Sequence, residues 1–118
     1  MQTVQGRVNY FLEGNQAIGL AHNRIKDAIA RGYRDRLHFV YFEDLTTKPK
    51  ETMQKIYEFL GEEYFEHDFD NVEQVNKEDD KFFGFDNLHT IRPKVEPVKS
   101  DWREVLGNWA SDFEKFNF

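Results

Sequence analysis

The stretch RLHFVYFEDLTTKPKETMQKIYEFLG, residues 36–61, holds the one strand-like segment of a chain whose other apolar patterns are helical. Residues 37–42 are aromatic and β-branched without clean alternation, which is typical of a strand covered on both faces in a parallel sheet. One strand alone cannot form a sheet. The sequence therefore predicts that this segment pairs with another copy of the chain, or that the chain is part of a larger α/β unit.

Apolar residues at spacings of three and four predict the helices around this strand. The predicted helical segments are residues 2–13, 15–31, 49–60 and a tail that begins at Ser100 and carries Trp102, Val105, Leu106, Trp109, Phe113 and Phe116. Gly32 and Gly61 are expected to end the second and third helices in the left-handed conformation. Between the third helix and the tail we expect an extended excursion with a short turn of helix.

Composition and charge restrict the class of protein. The 118 residues show no repeat or linker, so we predict a single domain over residues 1–118. There is no cysteine, which excludes a disulfide framework and indicates a cytoplasmic protein. No run approaches the roughly 20 apolar residues that span a bilayer. The net charge of −6 comes from the acidic residues 37–80, so we expect neither a nucleic acid nor a membrane as partner.

The order of motifs in the opening stretch resembles the C-terminal half of a sulfotransferase and is similar to the bacterial branch of that family. The family pattern is a Tyr-Glu-Asp-Leu strand end, followed by a proline-started helix that closes in Phe-Leu-Gly. The matching residues are Glu43, Asp44, Leu45, Pro49, Phe59, Leu60 and Gly61. Lys48 departs from the pattern, because the family commonly has a capping Asp at that position.

The resemblance implies a P-loop-type, three-layer α/β fold, of which this chain is a mostly α-helical part with one central strand at about residues 37–42. It also implies sulfuryl transfer from 3′-phosphoadenosine 5′-phosphosulfate to a hydroxyl or amine of a small-molecule acceptor. The family's cofactor loop is missing here, since GNQAIG at residues 14–19 lacks the Lys-Ser/Thr ending. Arg92 and Lys94, followed by SDWR at residues 100–103, match the order of the family's 3′-phosphate loop and are the predicted cofactor-binding residues.

We predict no catalytic residue and no metal site in this chain. Adjacent strand residues point to opposite faces, so Glu43 and Asp44 are expected to accept hydrogen bonds from turn or helix N–H groups rather than share a reacting atom. The acidic segment 67–73 around His67 matches no established ligand spacing. His89 is the histidine nearest to the predicted phosphate-binding residues, yet we do not assign it as a base.

Two functional hypotheses stay open from the sequence. In the first, the chain is a sulfotransferase-family fragment that is inactive alone and needs a missing N-terminal half with the cofactor loop. In the second, it is a non-catalytic helical interaction domain that self-associates, because a doubly covered strand and an aromatic tail both need partners. Size-exclusion chromatography would separate the two hypotheses, because a well-folded monomer would count against the need for a partner.

Overall fold

The computed structural model describes residues 3–114, and every regular element in that range is a helix. The α-helices are α1 Val4–Leu12, α2 Ala17–Ala30, α3 Phe42–Thr47, α4 Pro49–Leu60, α5 Trp102–Leu106 and α6 Ala110–Glu114. Short 3-10 helices occur at Arg34–Arg36, Asp80–Phe83 and Gly107–Trp109. The elements divide between two compact units: unit 1 takes its described residues from Met1–Leu37 and Lys99–Phe118, and unit 2 is His38–Val98.

The predicted central strand at residues 37–42 is wrong. Leu37 and Tyr41 have extended backbone, with φ −117° and φ −82°, but the residues between them form no strand and Phe42 already belongs to α3. No strand or sheet occurs anywhere in residues 3–114. A strand exists only where a second strand exchanges ladder hydrogen bonds with it, and this part of the chain supplies none. The described chain is therefore all helical, with irregular connections, rather than α/β.

In unit 1, α1 and α2 pack against each other at a glycine. Val8 of α1 is only 2% exposed, and Gly19 of α2 is buried beside the end of α1. A methyl group on Gly19 would meet the backbone of Leu12 and Glu13, so only glycine permits this approach of the two helices. The two helices therefore meet as closely as their backbones allow.

The face that α2 presents inward differs from the predicted stripe in its first turns. Apolar periodicity predicts a buried stripe of Ala17, Ile18, Ala21, Ile25, Ala28 and Ile29. Ala17, Ile18 and Ala21 are exposed instead, whereas Gly19 and Leu20 are covered. The later stripe residues Ile25, Ala28 and Ile29 are half-buried as predicted. The covered positions in the first turns of α2 are therefore those at the Gly19 contact and not those that apolar periodicity indicates. Gly32 follows the helix with φ 85°, which confirms the predicted left-handed end.

The tail of unit 1 forms two short helices separated by a glycine. Gly107 and Asn108 are turn-favouring residues in the middle of the predicted tail helix, where the sequence predicts a division into two short helices. Gly107 has φ 54° and follows the end of α5. Within the predicted aromatic stripe, the half-buried residues are Trp102, Leu106, Trp109 and Phe113. Val105 is 60% exposed, and Phe116 lies outside the described residues.

In unit 2, α3 and α4 are consecutive helices that contact each other and are separated by Lys48 alone. Lys48 has φ −135° and ψ 57°, which breaks the helical path, and its side chain makes no capping hydrogen bond. Pro49 occupies the first position of α4, and Gly61 ends the helix with φ 72°, both as predicted. None of the helices in residues 3–114 has the length and apolar content needed to cross a bilayer.

Candidate functional site

Unit 2 contains a long hairpin-like segment that carries both predicted cofactor-binding residues. At its base, the backbone N–H of Val72 donates to the carbonyl of Pro93 (2.7 Å), and the N–H of Val95 donates to the carbonyl of Phe69 (2.8 Å). The outgoing and returning chains are therefore joined in antiparallel order. We call residues 69–95 the hairpin segment. The sequence predicts only an extended excursion with a turn of helix here, and that turn is the 3-10 helix Asp80–Phe83.

Further along the hairpin segment, a glutamine side chain takes the place of a strand ladder. Gln74 Nε2 donates to the carbonyl of His89 (2.9 Å), and Gln74 Oε1 accepts from the N–H of Ile91 (3.0 Å). An amide side chain offers both a donor and an acceptor, so it can satisfy two backbone groups that would otherwise need a neighbouring strand. Gln74 thereby fixes the returning chain just before Arg92.

The shortest ion pair of the hairpin segment joins Asp80 and His89. The Asp80 side chain is 9% exposed; its Oδ2 accepts from the His89 N–H (2.9 Å), and its Oδ1 lies 2.6 Å from His89 Nδ1. The backbone hydrogen bond from His89, reinforced by the one from its ring, lowers the pKa of Asp80. The hydrogen bond to Asp80 raises the pKa of His89, and the nearby Glu78 charge adds to this shift. The arrangement can hold a proton on the imidazole.

Arg92 and Lys94 lie on the returning chain with exposed side chains. Lys94 Nζ is 3.3 Å from Asp70 Oδ1, an ion pair whose two side chains are both more than half exposed. A phosphate that binds Lys94 would compete with this carboxylate in water, where such pairs are weak. An arginine guanidinium is a bidentate donor to phosphate oxygens, and the exposed Arg92 side chain lies two residues before Lys94 on the returning chain.

The SDWR motif that follows these residues in the sequence belongs to unit 1. Its Arg103 guanidinium lies 4.2 Å from the centre of the Trp102 ring, and Arg103 Nε donates to Glu114 Oε1 (3.1 Å). Both contacts hold the guanidinium against α5 and α6. Trp102 and Arg103 therefore have structural partners in their own unit.

The acidic pair Glu43 and Asp44 lies in the first turn of α3, where carboxylates favour the positive end of a helix dipole. Within residues 3–114, however, the local hydrogen bonds go to backbone carbonyls: Thr47 Oγ1 donates to the Glu43 carbonyl (2.6 Å) and Thr46 Oγ1 to the Phe42 carbonyl (2.9 Å). The predicted acceptor role of the two carboxylates is thus not seen in the described chain. The pair begins a helix instead of ending a strand.

The other polar candidates are placed for packing. His67 Nε2 lies 3.1 Å from the hydroxyl of Tyr57, and its ring meets Phe65 edge-on at 5.1 Å. In the described residues no group of three or more histidine, aspartate or glutamate side chains is arranged to hold a metal ion. A cavity of about 240 Å³ beside the start of α4 is lined by Lys48 and Lys55 together with Asp44 and Glu51, so its charges cancel.

The Asp80–His89 pair is the part of the site that sequence reasoning missed. His89 is singled out by its position before Arg92, but Asp80 is one of many acids in a strongly acidic stretch. No spacing rule pairs residues nine positions apart across an irregular loop. A local signal did exist, since Asp79 and Gly84 are residues that favour turns and close the 3-10 helix on either side of the buried carboxylate.

Comparison with known proteins gives one result that covers nearly the whole chain. The sulfotransferase domain family matches residues 2–115. No curated protein and no solved structure matches the chain. The match extends over both units and includes the hairpin segment with Arg92 and Lys94 as well as the Glu-Asp-Leu and Phe-Leu-Gly motifs. The chain therefore belongs to the sulfotransferase family.

Proposed function

We propose that this chain takes part in sulfuryl transfer from 3′-phosphoadenosine 5′-phosphosulfate to a hydroxyl or amine of a small-molecule acceptor in the cytoplasm. The observation that carries the proposal is the family match over residues 2–115, which agrees with the motif order in residues 43–61. The bound cofactor supplies the sulfuryl group and the leaving phosphate. The family match favours this function over a purely structural helical domain.

The chain corresponds in this proposal to the C-terminal half of a P-loop-type enzyme of the bacterial branch. Its sequence has no glycine-rich loop with a Lys-Ser/Thr ending to hold the 5′-phosphosulfate. Its surface also supports a further protein partner, because Phe42, Leu60 and Phe65 are each between 59% and 66% exposed. A contiguous patch of such side chains would favour a covering protein partner. Alone, the chain should show no turnover.

The role proposed for this chain is to hold the 3′-phosphate of the cofactor through Arg92 and Lys94. The guanidinium would bind two phosphate oxygens, and the ammonium would add a compact charge beside it. Gln74 supports this role by fixing the backbone at His89 and Ile91, immediately before Arg92. We assign no catalytic side chain, since catalysis of group transfer by such a site rests on positioning and charge neutralisation.

Calorimetric titration of the chain with 3′-phosphoadenosine 5′-phosphate tests the proposal. A charge-assisted hydrogen bond contributes about 1.5–3 kcal/mol, so Arg92→Ala should weaken binding roughly ten- to hundredfold. Asp70→Asn should strengthen binding, because it releases Lys94 from its ion pair.

A matched control is Lys50→Ala, which removes the same unit of charge from unit 2 at a site where Lys50 Nζ is paired with Glu66 (2.7 Å). This variant should bind as the unaltered chain does. If Arg92→Ala and Lys50→Ala lose affinity for 3′-phosphoadenosine 5′-phosphate equally, binding depends on the net charge of the chain and not on Arg92 in particular. If the unaltered chain binds no 3′-phosphoadenosine 5′-phosphate, the phosphate-binding role of Arg92 and Lys94 is wrong, while membership of the family stands.

A further inference from the structure

The contact between Asp80 and His89 closes a loop. The Asp80 carboxylate binds both the backbone N–H of His89 (2.9 Å) and its Nδ1 (2.6 Å), and Glu78 Oε2 lies 3.5 Å from the same nitrogen. We call this group of three residues the His89 clasp. Its two direct hydrogen bonds come from one residue to one carboxylate, so they fix both the ring and the backbone of His89.

The loop that the clasp closes carries an exposed aromatic tip. Residues 80–83 form a 3-10 helix that Asp79 caps by accepting from the Phe82 N–H (3.3 Å). The chain then turns through Gly84 at φ 78°. The exposed fractions are 80% for Phe82, 67% for Phe83 and 53% for Phe85. Apolar burial cannot hold a tip whose rings stand in water, so its conformation depends on polar contacts.

We propose that the His89 clasp is a pH-sensitive latch, which holds loop 80–89 closed while Asp80 is ionised and His89 is protonated and loosens the loop when either charge is lost. The latch belongs to the fold of the hairpin segment and is independent of whether Arg92 binds a phosphate. Its consequence is a change in the mobility of the aromatic tip as pH rises above the ordinary pKa of a histidine ring.

The charges that surround the ring favour such a latch. Within the described residues, the charged groups that face His89 are Asp80 and Glu78, and both are acidic. From the outgoing chain the neutral Gln74 amide donates to the His89 carbonyl and adds no charge at this contact. The carboxylates of Asp80 and Glu78 therefore both attract a protonated imidazole, and the Gln74 amide does not repel it.

The pH window follows from the two pKa directions. The pKa of Asp80 is lowered from its ordinary 3.8, mainly by the His89 backbone hydrogen bond. The ionised carboxylate therefore stabilises the closed loop fully above pH 3.8, and this stabilisation is lost as pH falls through the lower pKa of the folded state. The pKa of His89 is raised from its ordinary 6.5, mainly by the hydrogen bond to Asp80. Its contribution is complete below 6.5 and is lost as pH rises through the higher, folded pKa. The neutral ring can still donate from Nδ1, so the loop loosens without coming free.

Solvent exchange of backbone amides, followed by NMR and corrected for the intrinsic exchange rate, measures the opening of the loop. The opening constant at the His89 amide should not change from about pH 4 to pH 6.5, the ordinary pKa of the histidine ring. Above that pH it should rise by at most about tenfold per pH unit. The Glu62 amide, which donates to the Tyr57 carbonyl (3.0 Å) at the end of α4, is the internal control and should show no such rise.

Two variants test the origin of the pH dependence. His89→Asn keeps a side-chain N–H near the position of Nδ1 but cannot titrate, so its opening constant should not change over the same range. Glu78→Gln removes the more distant charge and should reduce the rise without abolishing it. Far-ultraviolet circular dichroism and the Glu62 amide show whether each variant retains its helices.

Direct titration of the His89 ring by NMR keeps the proposal testable if His89→Asn does not fold. In the unaltered chain the ring should titrate above its ordinary pKa, and Asp80→Asn should bring it back toward that value. A pH-independent opening constant in the unaltered chain would overturn the latch. So would a rise that persists in His89→Asn, or a ring that titrates at or below the ordinary value.

Discussion

Replacing Gly19 by alanine tests whether the contact between α1 and α2 governs unit 1. In an isolated helix this change stabilises, because alanine has a higher helix propensity than glycine by about 1 kcal/mol. Here the added methyl group would overlap the carbonyl oxygen of Glu13, and would lie 2.7 Å from the Glu13 carbonyl carbon and 2.8 Å from the Leu12 carbonyl oxygen. All three atoms belong to backbone, which cannot move aside by a side-chain rotation.

The two effects have opposite signs, and their sizes decide the outcome. Inserting a methyl group into a filled space costs about 1–3 kcal/mol, and the upper end applies where backbone must move. Subtracting the gain in helix propensity leaves a net loss of about 2 kcal/mol in the free energy of unfolding. With a urea dependence of about 1–2 kcal/mol per molar for a small domain, the unfolding midpoint should fall by roughly 1–2 M.

Urea unfolding followed by far-ultraviolet circular dichroism measures this loss, and Ala21→Gly provides the reciprocal control. Ala21 lies two residues further along α2 on an exposed surface, so its replacement should cost only the propensity of about 1 kcal/mol. A Gly19→Ala variant with an unchanged or higher midpoint would refute the argument that close backbone contact holds the two helices.

Two smaller changes test the ends of helices. Gly61→Ala should destabilise the protein by about 1 kcal/mol, because φ is 72° at this position. Gly61→Asn should cost less, since asparagine tolerates the left-handed conformation. Equal midpoints of thermal unfolding for the glycine and alanine proteins would contradict this prediction. Thr3→Ala should lower the free energy of unfolding by about 1 kcal/mol, because it removes the hydrogen bond from the Gly6 N–H to Thr3 Oγ1 (3.1 Å). Thr3→Ser should retain this hydrogen bond. Thermal unfolding of both variants shows whether the hydroxyl group is responsible.

The helices whose signals are local were predictable from the sequence. Pro49 and Gly61 set the two ends of α4 because each residue restricts or permits particular backbone angles wherever it occurs. Gly107 divides the tail for the same reason. The resemblance to sulfotransferases rests on residues in fixed order along the chain, which is also information that the sequence carries by itself, and the family match confirms it.

The prediction of a strand at residues 37–42 was wrong. The β propensity of a segment describes how well that segment fits a sheet, but a sheet also needs a neighbouring strand. In the described chain the same residues stay irregular up to Tyr41, and the acidic pair starts α3. The assignment of Arg92 and Lys94 as cofactor-binding residues stays a prediction. Both residues lie on the returning chain of the hairpin segment.

The sequence by itself determined the family, the helix ends at proline and glycine, and the acidic character of residues 37–80. Only the tertiary structure decided which face of α2 is covered, that Gln74 replaces a strand ladder, and that Asp80 and His89 meet. The physical reason is the range of the forces involved. Backbone preferences act on a residue and its neighbours, whereas a hydrogen bond between residues distant in sequence exists only after the whole loop has folded.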